Sequence, residues 1–223
     1  MEMHLTDANY KEPNALDARV RDFSVHLTTR AEIKEFIETW HYSSGINGCI
    51  SDYCFKLVYN NKIIGAAFFG RMAMANQWKR FSDKEEDVIE LRLLCCIDDT
   101  PRNTESFFIG KMLRWLKKHT TIKVVVSYAD MEYGHGGIIY KAANFECLGK
   151  QPGAKIILWN GKRYHDKAIR TKYNGVLKPF ARRLIEALAK GEAEYKKTAG
   201  KVTYVYRLRV ANDNRKESIL WMR

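Results

Sequence analysis

The sequence predicts an α/β fold: a mixed central β-sheet flanked by helices, with a basic C-terminal α+β extension. Three observations predict it. Apolar residues recur at helical spacing near 30–40, 104–119 and 177–188. Between those segments they alternate or run together over strand-length stretches near 53–70, 88–97 and 122–127. The resulting order of helix, hairpin, long strand, helix, strand, helix, strand suits a sheet covered by helices.

Each element has its own warrant. Thr29 and Glu32 have capping-box spacing before the stripe Ile33, Phe36, Ile37 and Trp40, which predicts a helix over about 30–40. It gives way at His41-Tyr42-Ser43-Ser44-Gly45, a loop. Strands near 53–60 and 62–70 meet through Asn60-Asn61 as a hairpin. Residues 71–86 form an exposed connection. Val88 to Ile97 is a long apolar strand interrupted by Glu90 and Arg92, which strand alternation puts on one face. The helix over 104–119 buries Phe108, Ile109, Met112, Leu113 and Leu116. Ile122 to Ser127 is a buried strand ending in Tyr128-Ala129-Asp130. Gly134-His135-Gly136-Gly137 turns into a short helix, Ile138 to Asn144. Further strands follow at Phe145–Leu148 and Ile156–Trp159, with Asn160-Gly161 a turn, then the helix over 177–188 and a strand at Val202–Leu208. Residues 1–22 read as a loose arm, 23–210 as one domain whose basic part is 151–210, and 211–223 as a polar tail.

Composition excludes several classes. Of 223 residues, 46% are hydrophobic and 29% charged, a globular balance. The longest apolar run, Ile63 to Phe69, is far too short to span a membrane. The first residues lack the apolar core of a secretory signal. The five cysteines Cys49, Cys54, Cys95, Cys96 and Cys147 are odd in number and hold no C-x-x-C pair, so a reducing compartment, the cytoplasm, is expected. Cys95 and Cys96, adjacent in a strand, face opposite sides.

The charge of +12 is uneven. Residues 1–150 hold 20 Lys and Arg and 20 Asp and Glu, whereas residues 151–223 hold 18 against 6. Such a field attracts polyanions, and counterion release favours their binding. Trp159, Tyr164, Tyr173, Tyr195, Tyr204 and Tyr206 lie among these cations and suit base stacking. Candidate phosphate contacts are Arg163, His165, Lys167, Arg170, Lys172, Arg182 and Arg183. The alternative is a solvated face that keeps the chain soluble.

The element order matches the GCN5-related N-acetyltransferase (GNAT) fold, and IYKAANFECLGK (139–150) resembles a helix-strand segment of that superfamily. Three stretches narrow the likeness: WHYS (40–43), ELRLLCCIDDTPRNTESFFIGKMLRWL (90–116) and SYADMEYGHGGIIYKAANF (127–145) resemble the Mom family of phage DNA-modification proteins. That resemblance implies conversion of adenine in phage DNA to an N6-carbamoylmethyl derivative that blocks restriction. It implies functional roles for His41, Tyr42, Arg92, Ser106, Asp130 and Tyr140. GNAT acetyltransferases usually cradle the coenzyme A pyrophosphate on R/Q-x-x-G-x-G/A at a helix start. Here Arg102 to Gly110 lacks the glycine pair and brings Glu105. Asn103, Thr104 and Ser106 are the remaining cofactor-binding candidates at that helix N-terminus.

Each candidate has a plainer reading beside the functional one. Asp130 stands at the carboxyl end of a strand, where open α/β sheets bind ligands, yet it could simply form a turn. Arg92 could pair with Glu90 or Asp130 for structure alone. Tyr140 fits a general acid or an aromatic core residue, and His41 a loop ligand or a helix cap. His135 could be a turn residue. A set of His41 and Asp130 suits iron, without any local spacing of ligands. The resulting expectation is transfer of an activated glycyl unit, glycyl-tRNA being favoured over acetyl-CoA as donor, to N6 of a flipped adenine in double-stranded DNA. The alternatives are an acyl-CoA-dependent N-acyltransferase of a protein or small amine, and a non-enzymatic DNA-binding protein on a degenerate GNAT scaffold.

Overall fold

The computed structural model describes residues 15–41, 50–134 and 136–209. The elements are β1 (Ser24–Thr28), α1 (Arg30–Trp40), β2 (Tyr53–Tyr59), β3 (Lys62–Gly70), β4 (Val88–Cys96), α2 (Thr104–His119), β5 (Val124–Asp130), α3 (Ile138–Ala142), β6 (Glu146–Gln151), β7 (Lys155–Trp159), β8 (Lys162–His165), β9 (Lys172–Tyr173), β10 (Val176–Leu177), α4 (Pro179–Lys190), β11 (Ala193–Lys197) and β12 (Lys201–Arg207). Seven strands form one sheet in the order β1-β2-β3-β4-β5-β12-β6. It is mixed, since β1 to β4 pair antiparallel and β4 pairs parallel with β5. The chain divides into two compact units: residues 1–128, 138–147 and 204–223, and residues 129–137 and 148–203.

In the first unit, α1 covers one sheet face. Its N-cap Thr29 accepts the Glu32 N–H at 3.3 Å, while the Glu32 side chain turns to Thr28 and Lys56 rather than back to the cap. Ile33 and Ile37 then pack on Cys54, Ala66, Phe68, Leu93 and Cys95. On the opposite face α2 brings Trp115 to Phe55 at 5.3 Å, and Phe55 meets Phe69 edge-on at 5.9 Å. The α2 stripe of Phe108, Ile109, Met112, Leu113 and Leu116 is buried as its spacing requires. Asn60 and Asn61 both adopt positive φ, 47° and 59°, the geometry of a two-residue hairpin turn.

The structure departs from the sequence reading in several places. Residues 15–22, read as part of a loose arm, are held: Ala15 is buried and its N–H donates to the Asp99 carbonyl at 2.9 Å. The connection over 71–86 is not wholly exposed, because Phe81 joins Val88, Val124, Val126 and Val205 in a core cluster. Strands β1, β8 and β11 and the hairpin β9–β10 were not anticipated. In the second unit β11, β7 and β8 form a small sheet. Ile157, Leu184, Ala187 and Ala193 form its core, with Trp159, Tyr164 and Phe180 packed against it. The tail over 211–223 lies outside the described residues.

Gly70 ends β3 where another segment crosses. A Cβ there would lie 2.1 Å from the Ile50 carbonyl oxygen and 3.2 Å from Arg92 Cδ. Gly110, inside α2, has nothing nearer than 3.8 Å. Gly70→Ala should therefore destabilise the protein by about 1–3 kcal/mol through overpacking. Gly110→Ala should stabilise it by about 0.5–1 kcal/mol, through the lower backbone entropy cost of alanine in a helix. Denaturant unfolding of both variants reads the opposite signs directly.

Candidate active site

The centre of the first unit is an irregularity in β4. Leu93 pairs with Phe68 and Leu91 with Phe69, so Arg92 is an extra residue without a partner on β3. This is a β-bulge, a device that re-aims side chains beside functional sites. On its other side β4 pairs with β5 only as far as Leu91 and Ser127, although β4 continues to Cys96. Both neighbours thus lose their grip on β4 at Arg92. Because paired residues of an antiparallel ladder share a face, the bulge puts Glu90, opposite Gly70, with Phe68 and Leu93. Leu91 goes with Phe69, Leu94 and Cys96 on the other face. Strict alternation from the sequence would have grouped Glu90 with Leu94 and Cys96.

The two charges are clamped by the segment that leaves β3. Arg92 Nη1 donates to the Arg71 carbonyl at 2.8 Å, and Glu90 accepts the Ala73 N–H at 3.3 Å. The Arg71 N–H in turn donates to Asp52 at 3.1 Å. Arg92 Nε is buried with no hydrogen-bond partner among the described residues. A buried donor left unpaired is costly, and at a functional site it marks a place for an acceptor.

Two phenols adjoin this strand. The Tyr128 hydroxyl accepts from Gln77 Nε2 at 2.7 Å. Burial, then the negative field of Glu90, pushes Tyr128 up to about 12, against the opposing pull of Arg80. Tyr140, on α3, rings with Tyr204 at 5.1 Å and Phe145 at 5.6 Å. Ser127 acts against the shift of the Tyr140 hydroxyl, while the Ser127 hydroxyl itself donates to the Leu91 carbonyl at 3.0 Å. Burial pushes the Tyr140 phenol up, and Glu90 adds to the shift. Tyr140 therefore stands protonated, beside the Ser127 that bonds the residue before Arg92.

The other expected residues fall elsewhere. His41 caps α1, its N–H donating to the Ile37 carbonyl at 2.9 Å. Tyr42 and His135 lie outside the described residues. At the α2 start Asn103 is left-handed, with φ of 70°. Thr104 is fully buried and donates its hydroxyl to the Pro101 carbonyl at 2.7 Å. The Ser106 hydroxyl goes to the Asn103 carbonyl at 3.0 Å. Those protons are used up within the loop, Glu105 adds negative charge to the same turn, and Phe108 packs inward. These residues do not fit a coenzyme A pyrophosphate. Ser106 does line a cleft of about 270 Å³ with Arg114, Lys117, Asn144 and Tyr206.

In the second unit Asp130 accepts the Glu132 N–H at 3.1 Å, capping a turn at Met131–Tyr133, and meets Lys201 at 3.4 Å. Among the described residues no group of three or more His, Cys, Asp or Glu could hold a metal. The unit carries 14 Lys and Arg against 6 Asp and Glu. Some of these cations are engaged: Arg163 with Glu132 at 3.5 Å and Arg170 with Asp166 at 3.1 Å, while the His165 ring contacts Asp166 at 2.6 Å. Lys167, Lys172, Arg182 and Arg183 are exposed.

A family model for the Mom protein family matches residues 22–218. The chain belongs to the Mom protein family. It is 27% identical over 137 residues to the methylcarbamoylase mom of Escherichia phage Mu, covering 60% of this chain and 56% of that protein. The chain thus aligns with little more than half of that relative's length. The fold is that of the GNAT acetyltransferases. Arabidopsis thaliana NAA60 in complex with acetyl-CoA superposes with a TM-score of 0.50 at 10% identity, over 83% of this chain and 98% of that one. The Salmonella typhimurium protein yncA, with its cofactor acetyl-CoA, gives 0.50 at 7%, over 86% and 96%. For this Mom family member, the sequence reading overlooked the bulge and the partners Ser127, Gln77 and Arg71. The only trace of the bulge in the sequence is the pair of charges inside an apolar run.

The raised phenols make a testable demand. A group whose folded pKa exceeds its unfolded value stabilises the fold below the unfolded value and loses that contribution as pH rises through the folded one. Stability should therefore fall between about pH 10 and 12 as the unfolded chain ionises first. Tyr128→Phe should flatten that fall, as denaturant midpoints measured across the window will show.

Proposed function

We propose that this chain modifies adenine in double-stranded DNA, transferring an activated glycyl unit to N6 and yielding N6-carbamoylmethyladenine, which protects phage DNA from restriction in the host cytoplasm. The observation that carries the reading is the Mom family match, which runs through both the unit holding Arg92 and Tyr140 and the basic unit. Adenine N6 is a poor nucleophile because its lone pair is delocalised into the ring, so it must be polarised. Asp130, two residues beyond Tyr128 on β5, would accept an N6–H hydrogen bond. Arg92 Nε, already desolvated, would donate to the acyl oxygen as charge develops there. Tyr140 would give its proton to the departing oxygen. N6 lies in the paired stack, so the base must be flipped, with His41 or Tyr42 against it.

Atom balance favours glycyl-tRNA as donor. N6 attacks the glycyl carbon, the tRNA oxygen leaves, and N6–CO–CH2–NH2 results. The glycine amine then attacks C6 through a five-membered ring and the C6–N6 bond breaks. The amine nitrogen loses a proton and the old N6 gains one as the terminal amide. The product is the carbamoylmethyl isomer, reached without oxidant or reductant. The poor fit of the α2 start to a pyrophosphate is consistent with a donor other than acetyl-CoA.

Nucleosides from DNA co-expressed with the protein should contain the modified adenine by mass spectrometry. Unchanged nucleosides alongside tight DNA binding would instead support a non-enzymatic binder. Asp130→Asn, which can still cap its turn, and Tyr140→Phe, which keeps its ring contacts, should each lower modification by about two to four orders of magnitude. Normal modification by either variant removes that residue from the chemistry. When nitrogen-labelled glycine is supplied on tRNA, the label should end on C6 of the purine; label in the terminal amide excludes the rearrangement.

A further inference from the structure

Of the six aromatic residues among the C-terminal cations, the fold consumes four. Trp159 and Tyr164 pack on the core of the second unit, Tyr204 is buried, and Tyr206 rings with Phe145 at 5.3 Å. Tyr195 is exposed, but Lys155 Nζ covers its ring at 3.6 Å. Tyr173 is 71% exposed, and its ring meets no other ring or cation among the described residues.

Its setting is a built one. β9 and β10 form a hairpin through Asn174 and Gly175, whose φ values of 47° and 78° are those of a tight type I′ turn. The stem is closed by the Lys178 N–H on the Thr171 carbonyl at 2.9 Å and the Thr171 N–H on Ala168 at 3.2 Å. On either side of it Ala168, Ile169 and Phe180 are packed against the unit's core. Across the ladder Tyr173 pairs with Val176 and Lys172 with Leu177. Leu177 is half-buried, so its face is the inward one. The outward face therefore carries Tyr173 and Val176, which is 55% exposed. An apolar pair on the outward face of a two-stranded ribbon contributes little to the core, and here it lies within the basic unit. Lys178 stands exposed next to Leu177, Lys172 is exposed on the face opposite Tyr173, and Arg170, paired with Asp166, is exposed beside the stem.

We propose that the β9–β10 hairpin is a wedge for duplex DNA, its cations seated on phosphates while Tyr173, backed by Val176, stacks against a base step and opens it. Apolar wedges between base steps kink and unstack a duplex, and an aromatic ring on a basic surface serves any base. The inference rests on the DNA-acting reading above and adds the element that would help to loosen the target's stack. It does not involve the residues assigned to the chemistry.

The test uses the full chain and a fluorescent duplex carrying an aminopurine reporter beside adenine. Wild type should bind and brighten the reporter. Tyr173→Ala should weaken binding by about tenfold, the scale of one lost base stack, leave the salt dependence unchanged and abolish the brightening. Tyr173→Trp should restore both. Lys172→Gln with Lys178→Gln should instead flatten the salt dependence, by roughly one unit of slope per phosphate contact. The thermal midpoint should not move, and Tyr173→Thr, which keeps strand preference, guards against loss of the hairpin itself. If wild type binds and brightens the reporter while Tyr173→Ala and Tyr173→Thr do the same, the wedge is wrong and the DNA reading stands. If wild type binds no DNA, that reading fails and the wedge falls with it.

Discussion

Two charges in the middle of a buried strand are the constraint around which the first unit is built. Glu90 and Arg92 cannot be desolvated without partners, since an unpaired buried charge is among the costliest features a fold can carry. The extra residue at Arg92 breaks the ladder with β3, and pairing with β5 stops one residue earlier. The segment leaving β3 then turns back, offering the Arg71 carbonyl to one charge and the Ala73 N–H to the other. Ile50, on the segment that leads into β2, crosses so close over Gly70 that no side chain fits there. The bulge and the reversal of the chain after β3 answer one electrostatic requirement.

The same requirement shapes the two phenols. Glu90 raises the cost of a phenolate at both Tyr128 and Tyr140, and burial does more. Each therefore remains an O–H group across the ordinary pH range, which suits proton donation and excludes a role as a standing base. Arg92 presents the complementary half: a cation whose Nη1 is spent on main chain and whose Nε is dry and unpaired. A preorganised donor of this kind gains most from an oxygen that acquires charge during reaction, because no water has to be displaced then.

Fold class and helix positions were legible because they rest on apolar periodicity, which survives in α1, α2 and α4. The strands that escaped notice lack it. β1 is an edge strand with a largely exposed pattern, and β8 and β11 are mostly charged, burying little beyond Tyr164 and Ala193. β1 pairs along β2, and β8 and β11 are strands because β7 and the α4 core give them a surface to pair on, which is a tertiary cause. At the site, residue identities were legible but their partners were not. Asp130 stands out in the sequence, whereas its turn-capping bond to Glu132 and its contact with Lys201 depend on segments that only folding brings near. Thr104 and Ser106 show the reverse error: polar residues at a helix start suggest an anion site, until their protons are seen to close on Pro101 and Asn103.

The uneven charge bears on how binding and catalysis divide. Phosphate contacts hold a nucleic acid in the ground state and in the transition state alike, so they lower the concentration needed for occupancy without accelerating the chemical step. Arg163 and Arg170 are also partly neutralised by Glu132 and Asp166, which moderates the field and ties those side chains to the framework. On the DNA-acting reading, the basic unit supplies uniform affinity, and rate must come from groups that meet charge only as the reaction proceeds. Arg92 and Tyr140 in the first unit, and Asp130 in the second, are the groups assigned that task. The buried Arg92 Nε and the protonated Tyr140 phenol are screened less than the exposed cations, so each acts more strongly on charge that develops beside it.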